Sequence, residues 1–332
     1  MKLLEINISG GFDGHPLDLA VEDTGKTDIS EAVQRLASEK NAVAVIGEMT
    51  TAGTLTAAKA LADSKIPLVT PSATHREVTA AGPHVFRICF TDPFQAEAMA
   101  EFALSVKANT AAILVEKNNP YSEELAAGFR RAFTAGGGTL VAEQEFASGD
   151  RTFTTQLEAI RAANADVVFL PSYYAEAALV LREARAMDIE TPFLGCDGWD
   201  SKEFLRVTGD ASNNCYAATH FSHERNPHDP FVKNFQEEFG TPPPPLAALA
   251  YDAVNVTAAA LKAAPSGDQL TETLAATTAF PGVTGPLSFG PERSPRKPVV
   301  ILRVDEGKFH FLEVVEKSPP ELIETPGTAD TE

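Results

Sequence analysis

Cysteine is scarce: Cys89, Cys196 and Cys215 are the three in 332 residues, and they stand far apart. None has the C-x-x-C spacing of a zinc or redox centre, and they say little about compartment. Positive charge is short as well. With 27 Lys and Arg against 46 Asp and Glu, the net charge is −19, and no basic cluster offsets it. Nucleic acid and anionic membrane surfaces are therefore not the expected partners, which leaves a small molecule or a protein. No apolar run approaches the roughly 18 residues of a membrane span, so no membrane insertion is expected. Met1 enters directly into the amphipathic "MKLLEINI", with no signal peptide or strand read ahead of it, so either the chain begins there or an upstream stretch is missing. The H-e-x-x-H and G-x-S-x-G patterns of metallo- and serine hydrolases are missing too, so nothing reads as an enzyme.

The 44% apolar content is that of a globular chain, and its periodicity alternates regularly. Strands are expected at 16–21, 42–47, 66–70, 110–116, 138–143, 165–171, 191–197, 215–221 and 298–304. Amphipathic helices are expected near 28–40, 53–63, 94–107, 122–135, 153–163 and 174–187. This is βαβ repetition, the mark of a parallel α/β sheet. After 228 the pattern turns helical, at 229–239, 246–264 and 268–277, and then returns to short strands at 285–289 and 308–313. Nine or so mostly parallel strands favour two α/β lobes over one sheet. The closing "EKSPPELIETPGTADTE" reads as a disordered tail.

Several motifs dissolve on inspection. Gly25-Lys26-Thr27 resembles a P-loop, but Ala20 occupies the place of the first glycine. Asp28 and Glu31 read better as a capping box. "AGGGT" at 135–139 is a helix-to-strand turn, without the strand-before-helix context of a dinucleotide loop. His220, His223 and His228 have no cysteine at ligand spacing, so no metal and no cofactor is expected.

Three places read more like a pocket. Thr50 and Thr51 open a helix after a strand, where free amides hold anions; the plain alternative is N-capping. In "TPSATH", Ser72, the Ala73 carbonyl and Thr74 follow the carboxyl end of a strand, where open α/β sheets bind ligands. In "LGCDGWD", Asp197 ends an apolar strand and could meet a cation, or cap a helix near 201–207. Tyr121, Tyr173, Tyr174, Trp199 and Tyr251 lie at element ends and could wall a cleft.

At these residues the chain resembles the leucine/isoleucine/valine-binding proteins, the type I substrate-binding proteins of branched-chain amino acid ABC transporters. The matching track includes "LDLAVEDTGKTDISEAVQRLASEKNAVAVIGEMTT", "IPLVTPSATHREVT", "FRICFTDPFQAEAMA", "ILVEKNNPYSEELAAGF" and "TGPLSFG". It also takes in the long stretch from Thr154 through "PFLGCDGWDS", and covers most of residues 1–316.

The resemblance implies an α/β periplasmic binding protein type I fold, two Rossmann-like lobes joined by three hinge crossings near 91–93, 219–221 and 288–290. Lobe 1 would then be 1–92 with 220–289, and lobe 2 would be 93–219 with 290–316, leaving 317–332 as tail. It implies an amino acid ligand, a permease partner and a periplasmic or lipid-anchored place outside the cytoplasm. A sensor or regulatory subunit binding an amide, a urea or an aromatic acid is the alternative. By the same resemblance, Thr51 meets the ligand's carboxylate. Ser72, Ala73 and Thr74 meet its ammonium, and Asp197 completes the ammonium cage where leucine binders commonly carry glutamate. Tyr121 and Tyr173 close from lobe 2 and Tyr251 from lobe 1. Two departures stand out. The family begins with a signal, a first strand and a loop carrying another ligand contact, whereas this sequence starts within the following helix. The small disulfide of some members also has no counterpart, since neither position 50 nor the loop near 25 is Cys.

Overall fold

The computed structural model describes residues 1–12, 14–264 and 267–316, so the expected tail at 317–332 lies outside the described residues. The elements run α1 (Lys2–Ile8), α2 (Ile29–Ser38), β1 (Val45–Ile46), α3 (Thr51–Ala60), β2 (Leu68–Thr70), α4 (Glu77–Ala80) and β3 (Val85–Arg87). Then come α5 (Asp92–Ser105), β4 (Thr110–Lys117), α6 (Pro120–Ala135), β5 (Thr139–Ala147), α7 (Thr154–Ala163), β6 (Val167–Phe169), α8 (Tyr174–Ala186) and β7 (Phe193–Gly195). The chain continues through α9 (Lys202–Thr208), β8 (Cys215–Thr219), α10 (Pro230–Phe239), α11 (Pro245–Ala263) and α12 (Gly267–Ala275), and ends in β9 (Val299–Asp305) and β10 (Lys308–Val315).

Local chemistry sets many of these boundaries. Asp28 caps α2 by accepting from the amides of Ser30 and Glu31. Asn119 caps α6 with Pro120 at its first position, and Asp229 does the same for α10 ahead of Pro230. Gly240 closes α10 at φ +69°, a left-handed turn that glycine adopts without strain.

Two sheets result. The smaller has the parallel order β1-β2-β3. One face carries α2, α3 and α4 on a core of Val33, Val45, Ala57, Leu61, Leu68 and Val78. The other is covered by α11 and α12 through Val69, Phe86, Leu249, Val256, Leu270 and Leu274. The larger sheet has the order β10-β9-β8-β7-β6-β4-β5, parallel from β8 to β5, with β9 antiparallel to both its neighbours. Helices α5 and α6 cover one of its faces, and α7, α8 and α9 the other. The chain passes between the sheets three times: between β3 and β4, after β8, and before β9.

Three expectations need correction. Residues 16–21 form no strand, and Leu19 and Val21 are 68% and 76% exposed. Their alternation is strand-like, but among the described residues no strand lies alongside; the Asn7 side chain instead pairs with both backbone groups of Leu17. The strand expected at 285–289 reduces to one bridge between Phe280 and Leu287. Conversely, β3 is a strand that the pattern missed, because three consecutive buried residues carry no alternation.

Candidate functional site

The small-sheet side presents two loops at the carboxyl ends of its strands. After β1, Thr50 caps α3 by accepting from the Gly53 amide at 3.1 Å, so its hydroxyl does the structural job. Thr51 follows, 2% exposed, with a hydroxyl that has no hydrogen-bond partner. After β2, the Ser72 hydroxyl donates to the Met49 carbonyl at 2.7 Å, tying the two loops together. The Ala73 carbonyl accepts from Arg87 Nη1 at 3.1 Å and from the Cys89 thiol.

Arg87 explains this loop. Its guanidinium is 1% exposed and holds the carbonyls of Ala73, Thr74, His75 and Arg76 together with the Thr79 hydroxyl. A buried cation survives here because oxygen dipoles surround it, while burial pulls its pKa below the usual range. The result is a loop fixed by buried hydrogen bonds, in which the Thr74 carbonyl also accepts from the Asp92 amide.

On the large-sheet side, Asp197 stands just past β7. Its position depends on two glycines. A Cβ at Gly195 would sit 2.1 Å from the Trp199 ring, and one at Gly198 would come within 3.0 Å of both the Tyr121 hydroxyl and the Tyr173 ring. Their absence lets the turn fold tightly, with Trp199 beneath it and the tyrosines above. Asp197 Oδ1 accepts from Tyr121 at 2.7 Å and from Gln95 at 2.9 Å, and Oδ2 lies 3.1 Å from His220 Nε2. Gln95 also accepts from the Asp197 amide, at 2.7 Å.

Burial pushes the Asp197 carboxyl up, but His220, Tyr121 and Gln95 more than offset this and hold it below the usual range. Burial lowers His220, which Asp197 only partly restores. Asp197 therefore keeps a full negative charge at neutral pH beside a neutral imidazole. Burial, then the charge of Asp197, keeps the Tyr121 proton in place, so this hydroxyl donates. The Tyr173 ring stacks on Tyr121 at 4.7 Å, and its hydroxyl lies against the Thr51 backbone across the cleft.

The structure thus joins Tyr121, Tyr173 and Asp197 to one another and brings the Tyr173 hydroxyl to the Thr51 backbone. The Tyr251 hydroxyl donates to Glu5 at 2.7 Å, under Lys2, and its ring packs on Phe231. The docking of α1 on α11 claims that side chain. Sequence reading passed over Gln95, His75 and Glu124, weighed His220 only as a metal ligand, and gave Arg87 no role. Arg76 and His75 pair with Glu124 of α6, a 6% exposed carboxylate that also accepts from the Arg76 amide. The available signal was polar residues set inside apolar runs, Arg87 in "VFRICF" and Gln95 in "DPFQAEAMA".

Two sheets and three passages of the chain between them form the frame of this site. A family model described as periplasmic binding protein matches residues 1–308. The chain belongs to that family. The family and its fold are those of the solute-binding proteins of ABC transporters, which bind and do not catalyse. Among curated relatives, the leucine-, isoleucine-, valine-, threonine- and alanine-binding protein of Pseudomonas aeruginosa is 27% identical over 299 residues, 87% of this chain and 79% of that one. Among solved structures, the leucine binding protein LivK of Thermotoga maritima is 31% identical with a TM-score of 0.88, covering 95% of this chain and 92% of its own. The branched-chain amino acid transporter substrate binding protein LivJ of Streptococcus pneumoniae, in complex with isoleucine, is 28% identical with a TM-score of 0.89, covering 95% and 91%. Among the described residues of this periplasmic binding protein, no helix is long and apolar enough to cross a membrane. Nor do three or more His, Cys, Asp or Glu gather there as a metal site.

Proposed function

We propose that this periplasmic binding protein is an extracytoplasmic receptor that holds an aliphatic or branched-chain amino acid between its lobes and delivers it to an ABC transporter permease. The lobes are 1–92 with 220–289 and 93–219 with 290–316. The observation that carries the reading is Asp197, a largely buried carboxylate held in its charged form by Tyr121, Gln95 and His220. An amino acid carries −1 and +1 a few ångströms apart. Its carboxylate matches the Thr51 hydroxyl, which lacks a partner, and the first amides of α3. Its ammonium matches Asp197 and the Thr74 side. Neither lobe supplies both halves, so binding favours the closed arrangement. The relatives named for leucine, isoleucine and valine support the choice of an aliphatic side chain.

A thermal-shift panel of the twenty amino acids, benzoate and urea tests this. A ligand at 100 times its Kd adds about 2.7 kcal/mol of stability, a readily visible shift. Leucine, isoleucine or valine should raise the melting temperature. A shift produced by benzoate or urea and by no amino acid would replace the reading with a receptor for that other solute.

A further inference from the structure

Asp92 is the first residue of α5, in the first crossing between the lobes, and it is 0% exposed. Its amide donates to the Thr74 carbonyl at 3.0 Å, which fastens it to the loop facing the cleft. Neither carboxylate oxygen has a hydrogen-bond partner of normal geometry, and the Thr74 hydroxyl is the donor that lies beside it. An orphaned acid in such surroundings is unusual, because burial without partners strongly disfavours the charged form.

The charges around it deepen the problem. Burial is the main cause that raises Asp92 well above the carboxylate range; Asp197 and Glu124 raise it further, while the Thr74 hydroxyl and Arg87 lower it. Tyr121, Tyr173, Cys89 and Cys196 share the same surroundings, and they stay neutral because burial raises each of them. Arg87 acts on it through charge alone, since both Nη atoms are engaged by the 73–76 carbonyls and Thr79. The start of α5 favours a negative charge, but this is the weaker effect in so buried a place. Asp197 has three side-chain partners, whereas Asp92 has only the Thr74 hydroxyl beside it, so of the two acids it is Asp92 that burial favours in the protonated form.

We propose that Asp92 is a second acid of the ammonium site, and that it carries a proton which the ligand's cationic group displaces to solvent. This rests on the amino acid reading above. One ammonium enters and one proton leaves, so the buried cluster keeps its net charge through binding. The ligand's cation thereby receives two carboxylates, one from the lobe 2 turn and one from the hinge. A carboxylate-only solute would meet a neutral acid and an ionised one, and would be rejected.

The test is calorimetric titration of the full chain with L-isoleucine at pH 7 in two buffers of different ionisation enthalpy, which counts protons. About one proton should be released per isoleucine bound, and the affinity should rise up to about tenfold per pH unit while Asp92 titrates. Asp92→Asn should abolish the release and flatten the pH profile, whereas Asp200→Asn, which alters the other raised acid near Asp197, should leave the release intact. Binding without proton release by the unaltered protein overturns the proposal and needs no variant. So does release that persists in Asp92→Asn. If no amino acid binds, the amino acid reading itself fails and takes this proposal with it, an outcome distinct from binding without release.

Discussion

The strands of the small sheet are two or three residues long, whereas β5 of the large sheet reaches nine. The large lobe is packed with stacked aromatics, Phe129 on Phe169 at 4.2 Å and Trp199 on Phe204 at 5.0 Å. The small lobe holds its ligand-facing loops by polar means: Ser72 on the Met49 carbonyl, and one buried guanidinium gathering four carbonyls. The difference teaches that lobe 2 is a platform fixed by apolar packing, while lobe 1 is a set of loops fixed by hydrogen bonds. Apolar packing tolerates volume-conserving change. A buried polar clasp fails when one member is removed, because the others are left unsatisfied.

Arg87→Met should break the comparison most severely. It keeps volume but releases four buried carbonyls and Thr79, and should cost about 3–5 kcal/mol in a urea titration, together with loss of ligand binding. A cost under about 1 kcal/mol would mean that the loop stands without its clasp.

Next in size is Asp197→Asn. The isosteric amide keeps the turn but removes the charge, so amino acid affinity should fall by roughly 100-fold, about 2.7 kcal/mol, in calorimetry. Its melting temperature at pH 7 should also fall. Asp197 is depressed in the folded state, so its contribution is present above the ordinary carboxylate value near pH 4 and is lost as pH falls further.

Glu124→Gln sharpens the contact between the lobes themselves. Glu124 of α6 binds Arg76 and His75 of the lobe 1 loop, so it links the platform to the clasped loop when the cleft is closed. Its loss should weaken ligand binding about tenfold, mainly through faster release, while leaving stability nearly unchanged. Stopped-flow dissociation would show this. An unchanged off-rate would make the pair a bystander.

Asp200→Asn has the smallest effect, and its sign depends on pH. Burial, then the charge of Asp197 against the Thr219 hydrogen bond, raises Asp200 to about 7. Its contribution is therefore complete below about pH 4 and is lost as pH rises through 7. The Asn variant does not titrate, so it should melt higher than the parent at pH 8 and lose that advantage at pH 5. Circular dichroism melts at the two pH values would decide it.

Much of the fold was legible because it rests on period. Helices α2, α6, α7, α8 and α10 lie within a residue or two of where amphipathic spacing and caps put them. The segment at 16–21 misled, since alternation signals a strand only when another strand lies beside it, and that is not a local property. β3 was hidden for the opposite reason: a strand buried on both faces has no alternation to read. Of the site, Asp197 and the Thr50–Thr51 helix start were visible as polar residues at strand ends. Gln95, Arg87 and Asp92 were not, because their meaning comes from groups brought together across 8 to 102 positions of sequence.

The clamp itself is tested most directly by comparing L-leucine with 4-methylpentanoate, the same skeleton without the amine, by calorimetry on the protein and on Asp197→Asn. The protein should bind leucine at least roughly 100-fold more tightly than the acid, because buried acceptors are left unpaired when the ammonium is missing. Asp197→Asn should lose most of that preference. Comparable affinities of the unaltered protein for the two compounds would contradict the zwitterion clamp.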